Sequence, residues 1–456
     1  MYDVVIIGGG PGGYAAALYA HNFDLSVALV EKERVGGTCL LRGCIPAKSW
    51  LKTAEVFATV QKAAEFGVHT SDASIDWAAA LERKNTIVDG LVKGLSGLLR
   101  GRNVDVMDGF GRLADGGVEV SGADGNVRQI GARNVILATG SEPRAIPGYE
   151  FDGDRIVSSR DALDWRVRPQ RVAIIGAGAI GCEFASFLGD AGSEVHLFEM
   201  LDQVVPGAEP EAAKALAREL KKKGVKVRTG VTVGPAELRN GHVVVPFEGD
   251  YVEVDKVLVA VGRAPVTEGV GLETTKAEVE RGFVHVNRQT MLTAEPHIYA
   301  VGDIVAGTPQ LAHAGFAEGI AAITHIATGE TAPVDYRAIP LVVYTHPEMA
   351  SVGLTEAAAR QAGYEIEVHD HGMRGVGRAI IQGEVGGLVK LVSEVDGPIL
   401  GATVVGPAAG ELIHELMYSV AWEALPDEAA AFIHAHPTIS EAIGETLLTA
   451  AGRSLH

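Results

Sequence analysis

Apolar residues in this chain come in short runs that stop at glycine, rather than in long amphipathic stretches. "DVVIIGGG" (3–10), "VILATGS" (135–141), "RVAIIGAG" (171–178), "VLVAVGR" (257–263) and "HIYAVGDI" (297–304) share this form. Each reads as a buried strand that ends in a turn. After the first and third runs the text changes to small residues, "PGGYAAALYA" and "AIGCEFASFL", which predicts a closely packed helix. From about residue 336 the pattern shifts to mixed strands and amphipathic helices with no nucleotide signature.

The strand, turn and helix plan occurs twice. Gly8, Gly10 and Gly13 are matched by Gly176, Gly178 and Gly181, each 168 positions on. Each set is followed 18 residues later by an acid, Glu31 in "VALVEKE" and Glu199 in "VHLFEM". This spacing predicts a dinucleotide site. The glycines make the tight turn and admit the pyrophosphate, the helix N-terminus faces it, and the acid accepts a ribose hydroxyl. Two helix-packing turns without nucleotide would not require the repeated acid. Two such sites imply electron transfer between two cofactors, with Asp303 delivered to a loop where it could hold a ribityl or ribose hydroxyl.

At about 150 residues per domain, 456 residues suggest three domains. The reading is an α/β protein with two Rossmann-like dinucleotide-binding domains plus a C-terminal α+β dimerisation domain. The segments are 1–149 and 270–335 for the first nucleotide domain, 150–269 for the second and 336–456 for the last. A net charge of −19 argues against nucleic acid, which needs clustered cations. No run of about 18 uncharged apolar residues suggests a membrane span. The strand at the very start reads as a chain without a signal or transit peptide, expected in the cytoplasm.

Two of the three cysteines, Cys39 and Cys44, lie in "GGTCLLRGCIPAK" (36–48). The composition predicts one helix from Cys39, capped near Gly37 or Thr38. On a regular helix the pair would point apart, so a bond between them requires a distorted first turn, which Gly43 and Pro46 permit. A reducing compartment suits a pair that opens and closes, and a helix N-terminus favours the thiolate. Two buried thiols are the plain alternative, and half a zinc site is another, although no second cysteine pair exists. No metal is expected. Cys182, inside the second nucleotide helix, reads as a packing residue.

"GGTCLLRGCIPAK", the doubled glycine motif, "YAVGD" and the tail "HAHPTISEAI" resemble the flavoprotein disulfide reductases over essentially the whole chain, including "LAHAGFAEGI" (311–320), "VVYTHPEMASVGLTE" (342–356) and "GELIHE" (410–415). Within that family the likeness is greatest to the members that oxidise dihydrolipoyl groups. The resemblance implies FAD and NAD as cofactors and a homodimer. It makes Cys39 the thiol that exchanges with substrate and Cys44 the thiol next to the flavin. Lys48 would lie beside the flavin's reactive nitrogen and pair with Glu183. Glu31, Gly111, Thr139, Gly140, Ser141, Asp303 and Ala312 would contact FAD; Glu199, Val231 and Gly262 would contact NAD. His436 would be the base, oriented by Glu441, and its bond to Pro437 is expected to be cis. A histidine suits the task because its pKa lies near neutrality. His434, His313 and His346 are expected to be structural, the last two in core packing.

Glu199 would repel a 2'-phosphate, and no Lys or Arg occurs from Phe198 to Ala213, so NAD rather than NADP is expected. No cysteine follows Cys182, which argues against a mercuric reductase. The implied partner is a dihydrolipoyl group, carried by the lipoyl domain of a 2-oxoacid dehydrogenase or glycine cleavage complex. Reduction of another small disulfide such as mycothione is the alternative, and a redox-inert flavoprotein is the non-enzymatic one. Leu41 and Ala47 depart from the polar residues usual in the family, and "HGMRGVGRAI" (371–380) departs from its usual text.

Overall fold

The computed structural model describes residues 1–455, and the chain divides into two compact units. The first comprises Met1–Ala47, Leu81–Pro143 and Arg263–Tyr336. In it β1 (Tyr2–Ile7) pairs in parallel with β2 (Val27–Glu31) on one side and with Val127–Leu137 on the other. Asp105–Asp108 extends the sheet beyond β2, and Ile298–Ala300 runs parallel to Val127–Leu137. Val4, Val5 and Ile6 are fully buried, as parallel strands covered on both faces require. The helix α1 (Pro11–Ala20) meets the helix Ala312–Thr328 at backbone contact. A Cβ at Gly319 would lie 2.6 Å from the Gly12 carbonyl oxygen, so only small residues allow the approach.

The helix expected from Cys39 is two helices, α2 (Gly37–Arg42) and α3 (Cys44–Gln61). The residue capping α2 is Gly36, at φ +122°, rather than Gly37 or Thr38. Glycine serves here because few other residues reach that conformation. The break falls at Gly43, where a Cβ would sit 2.9 Å from the Thr38 carbonyl oxygen.

The second unit comprises Lys48–Ala80, Arg144–Gly262 and the chain from Arg337 onward. Residues 48–80 therefore group with the second unit rather than with the first nucleotide segment, and the changeovers fall after Pro143 and Gly262. The aromatic residues of this stretch explain the grouping. Trp50 and Trp77 stack on each other and on Phe187, and their indole N–H groups donate to the Leu163 and Trp165 carbonyls at 3.0 and 2.7 Å.

The unit's parallel sheet has the order Lys226–Arg228, Glu194–Phe198, Arg171–Ile175, Lys256–Val259, Ile156–Val157. Its C-terminal part is an antiparallel sheet of five strands, Leu341–Val343, Glu348–Gly353, Ile399–Gly406, Leu388–Glu394 and Ile366–Gly372 in spatial order. The helices Ala409–Ala421 and Glu441–Ala450 close its core through Ile413, Leu416, Ile443 and Leu447. Among the described residues no helix is long and apolar enough to cross a membrane.

Candidate active site

The two glycine loops are built alike. Gly8 and Gly176 both take positive φ, +109° and +97°, and a Cβ at either would strike the carbonyl of Ala138 or Ala260. A Cβ at Gly13 or Gly181 would lie 1.9 Å from the Gly8 or Gly176 oxygen, so strand and helix touch through backbone. The middle glycines differ in kind. A Cβ at Gly178 would meet nothing within 4 Å, and one at Gly10 would meet only the Gly37 Cα at 3.7 Å. Open space over each helix N-terminus is what a pyrophosphate needs. These loops fit FAD in the first unit and NAD in the second.

The acids repeat as well. Glu31 accepts from the Gly9 and Glu33 amides at 2.7 and 2.9 Å; Glu199 accepts from the Ala177 and Leu201 amides at 2.8 and 3.0 Å. Every donor and acceptor is shifted by the same 168 positions. Val231 donates its amide to the Glu199 carbonyl at 2.9 Å. Arg228, on the neighbouring strand, lies over the Phe198 and Phe247 rings and contacts His196 Nδ1 at 3.1 Å. It shares its sheet face with Phe198, not with Glu199, because the side chain alternates along a strand.

The start of α2 rests on the first glycine loop. The Gly36 amide donates to the Gly9 carbonyl at 2.7 Å, and a Cβ at Gly37 would strike the Gly10 Cα. Cys39 is half-buried on α2 and Cys44 exposed at the start of α3. The helix is broken at Gly43, between the two cysteines. Burial raises the phenol of Tyr14 on α1 to about 12, and the Cys39 and Cys44 charges push the same way. Leu41 packs on the core of this unit, which accounts for an apolar residue there.

Asp303 lies in a single turn, Gly302–Ile304, after the strand Ile298–Ala300. The Ser141 hydroxyl donates to its carboxylate. Arg263 Nε donates to the same hydroxyl at 2.7 Å and lies 3.9 Å from Asp303. Glu318, fully buried on the helix that begins at Ala312, accepts from the Gly302 amide and from the Tyr336 hydroxyl. Burial lifts its carboxyl to about 7 against these bonds. The Thr139 hydroxyl is bound to the Val266 carbonyl, Gly140 takes φ +72°, and Gly111 packs beside Ile7 and Val30.

In the second unit Lys48 Nζ donates to both oxygens of buried Glu183 at 2.8 Å. Two features of Tyr344 fix this pair. Its amide donates to Glu183 Oε1 at 3.0 Å, and its ring lies 4.4 Å from Lys48 Nζ. Gly262 takes φ +109°, and its carbonyl accepts from the Arg144 amide at 3.1 Å.

His436 stands with its side chain 79% exposed, its bond to Pro437 cis as expected. Its Nδ1 is 2.7 Å from Glu441 Oε1. Glu441 heads the last helix, and the Thr438 amide with His436 holds its carboxyl below the usual range. That leaves the exposed Nε2 edge for a proton. His434 is instead held by Glu415 at 2.7 Å and fills the space that glycine leaves at position 444.

Two expectations need correction. His313 is exposed on the first turn of its helix, so it does not pack a core. His346 is half-buried but bound, with Nε2 3.1 Å from Glu384. Cys182 behaves as expected: fully buried, its thiol raised to about 12 by that burial. Among the described residues no group of three or more His, Cys, Asp or Glu is placed to hold a metal. Arg263 and Tyr344 escaped the sequence reading because their partners Ser141 and Glu183 lie 122 and 161 positions away, and Glu318 because its partners Gly302 and Tyr336 belong to a turn and a loop that no local pattern relates to its helix.

The profile of the pyridine nucleotide-disulphide oxidoreductase family matches residues 2–319, and that of its dimerisation domain residues 339–447. The chain belongs to this family. It is 40% identical to the dihydrolipoyl dehydrogenase of Bacillus subtilis over 100% of this chain and 99% of that one. With the dihydrolipoyl dehydrogenase of Chlamydia muridarum it shares 41%, over 100% and 98%. Its fold matches the crystal structure of LpdA from Mycobacterium tuberculosis with a TM-score of 0.90 at 28% identity, covering 98% and 99% of the two chains. The HOCl-induced flavoprotein disulfide reductase RclA of Escherichia coli follows at 0.87 and 25%, with the same coverage.

Proposed function

We propose that the protein oxidises dihydrolipoyl groups to the lipoyl disulfide, using FAD and NAD and a redox pair made of Cys39 and Cys44. The observation that carries this reading is the break at Gly43, which places Cys39 in the first turn of one short helix and Cys44 at the start of the next, with the first of these helices seated on a dinucleotide loop. The full-length likeness to dihydrolipoyl dehydrogenases supports the substrate.

His436 takes the proton of a substrate thiol, and Glu441 holds the imidazole by its other nitrogen. The substrate thiolate attacks the Cys39 sulfur, the Cys39–Cys44 bond breaks, and Cys44 leaves as a thiolate. The second substrate thiol attacks the mixed disulfide, forms the lipoyl bond and releases Cys39. Two electrons have then passed from substrate to the cysteine pair. FAD, when bound, carries these electrons onward as a hydride to NAD. Glu31 and Asp303 are proposed to hold FAD hydroxyls, Glu199 the NAD ribose, and the Lys48–Glu183 pair the flavin ring. Homodimerisation, a lipoyl domain as substrate carrier and a cytoplasmic location complete the reading.

Mixing dihydrolipoamide with the oxidised protein under anaerobic conditions tests it. Flavin absorbance should bleach, and NAD should restore it with formation of NADH. Cys39→Ser and Cys44→Ser should each abolish the bleaching; bleaching that survives in either variant would contradict the assigned pair.

A further inference from the structure

We propose that Arg263 is a positioning residue for the cysteine pair, fastening the first turn of α2 to the Ser141–Asp303 pair and holding a positive charge toward Cys44. The proposal rests on the reading of Cys39 and Cys44 as the redox pair and adds to it the group that supports the thiolate.

Arg263 opens a short strand, Arg263–Pro265, antiparallel to Ser141–Pro143, so its backbone is fixed opposite Pro143, two positions from Ser141. Its side chain is only 14% exposed. Each face of the guanidinium has a task. Nε donates to the Ser141 hydroxyl at 2.7 Å, Nη2 donates to the Ser141 carbonyl, and the same Nη2 reaches the Thr38 hydroxyl at 3.4 Å. Thr38 immediately precedes Cys39. A planar fork with several fixed donors serves these groups together, which a lysine ammonium on a flexible stem does not.

The charge balance around Cys44 points to the same residue. Tyr14 stays protonated, since burial and the cysteine charges raise its pKa to about 12. Lys48, one turn further along α3, is committed to both oxygens of Glu183. Arg263 is buried, which lowers its pKa, yet the charges of Asp303, Cys44 and Glu142 oppose that lowering, while Arg42 adds to it. A guanidinium remains charged under any such shift near neutral pH. Arg263 is thus a fixed cation, bound beside the residue before Cys39, whose charge interacts with that of Cys44, and a cation near a thiol favours the thiolate.

The test uses the full-length holoprotein, reduced and then alkylated with iodoacetamide across a range of pH, with Cys44 followed by peptide mass spectrometry. Arg263→Met should raise the midpoint of Cys44 alkylation by about one pH unit, and Arg263→Lys should recover most of the shift. An unchanged midpoint in Arg263→Met overturns the proposal. If that variant does not fold, Ser141→Ala decides: loss of the hydroxyl removes the Nε anchor and leaves the guanidinium held by Nη2 alone, so a smaller upward shift is expected and an unchanged midpoint overturns the proposal. Failure of the redox-pair reading looks different, because Cys39 and Cys44 would then be alkylated equally before and after reductant.

Discussion

Each nucleotide loop already holds one carboxylate through backbone amides, Glu31 on Gly9 and Glu33, Glu199 on Ala177 and Leu201. Each oxygen of such a carboxylate takes one amide, and in the proposed role its remaining lone pairs accept a ribose hydroxyl, where a 2'-phosphate would meet like charge. Glu199→Ala combined with Met200→Arg should therefore lower the preference for NAD over NADP by about tenfold or more, measured as the ratio of kcat/KM values. An unchanged ratio would remove Glu199 from that role. Glu318 offers a second measurement at this scale. Its folded pKa of about 7 lies above the ordinary 4.5, so the folded state binds the proton more tightly than the unfolded state. Stability should fall as pH rises through that window, with the full penalty present above it, at most about 3 kcal/mol. Glu318→Gln abolishes the titration, so its stability relative to the parent should improve between about pH 5 and about pH 8 in urea unfolding. A constant difference would show that Glu318 does not titrate there.

Among the elements, the α2–α3 junction decides whether the cysteines can act as a pair. At Gly43 a Cβ would approach the Thr38 carbonyl oxygen to 2.9 Å and the Cys39 Cα to 3.4 Å. Gly43→Ala should push the two helices apart, cost about 1–3 kcal/mol and slow dihydrolipoamide oxidation more than it weakens NAD binding. Equal rates in the two proteins would show that the junction tolerates the methyl group. This junction also marks how far the sequence was legible. The glycine and acid spacings are local, and they foretold both loops, while the matching bonds from backbone amides to the acids emerged from the structure. A distortion permitted by Gly43 followed from helix geometry, but the cap did not, because the position of Gly36 depends on the Gly9 carbonyl across the sheet. Arg263 and Thr38 are 225 positions apart, and Tyr344 and Glu183 161, so no local pattern relates them. The grouping of residues 48–80 was hidden for the same reason: Trp50 and Trp77 find their carbonyl partners at Leu163 and Trp165.

For the molecule as a whole, the cysteines lie near one end of the chain and His436 near the other, and His436 is exposed while its orienting acid is fixed. In the proposed two-fold dimer, each site takes its cysteines from one subunit and its histidine from the other. Cys39→Ser and His436→Gln should each be inactive. When the two are allowed to exchange subunits at random, half the dimers are mixed and half of their sites intact, so about a quarter of the parent activity should return. No recovery, with mixed dimers shown to form, would place each histidine in its own subunit's site. The substrate is the centre of the account, and a direct competition settles it. Catalytic efficiency for NAD-dependent oxidation of dihydrolipoamide should exceed that for NADH-dependent reduction of soluble disulfides, mycothione included, by about tenfold or more; a preference of that size for a soluble disulfide would contradict the account.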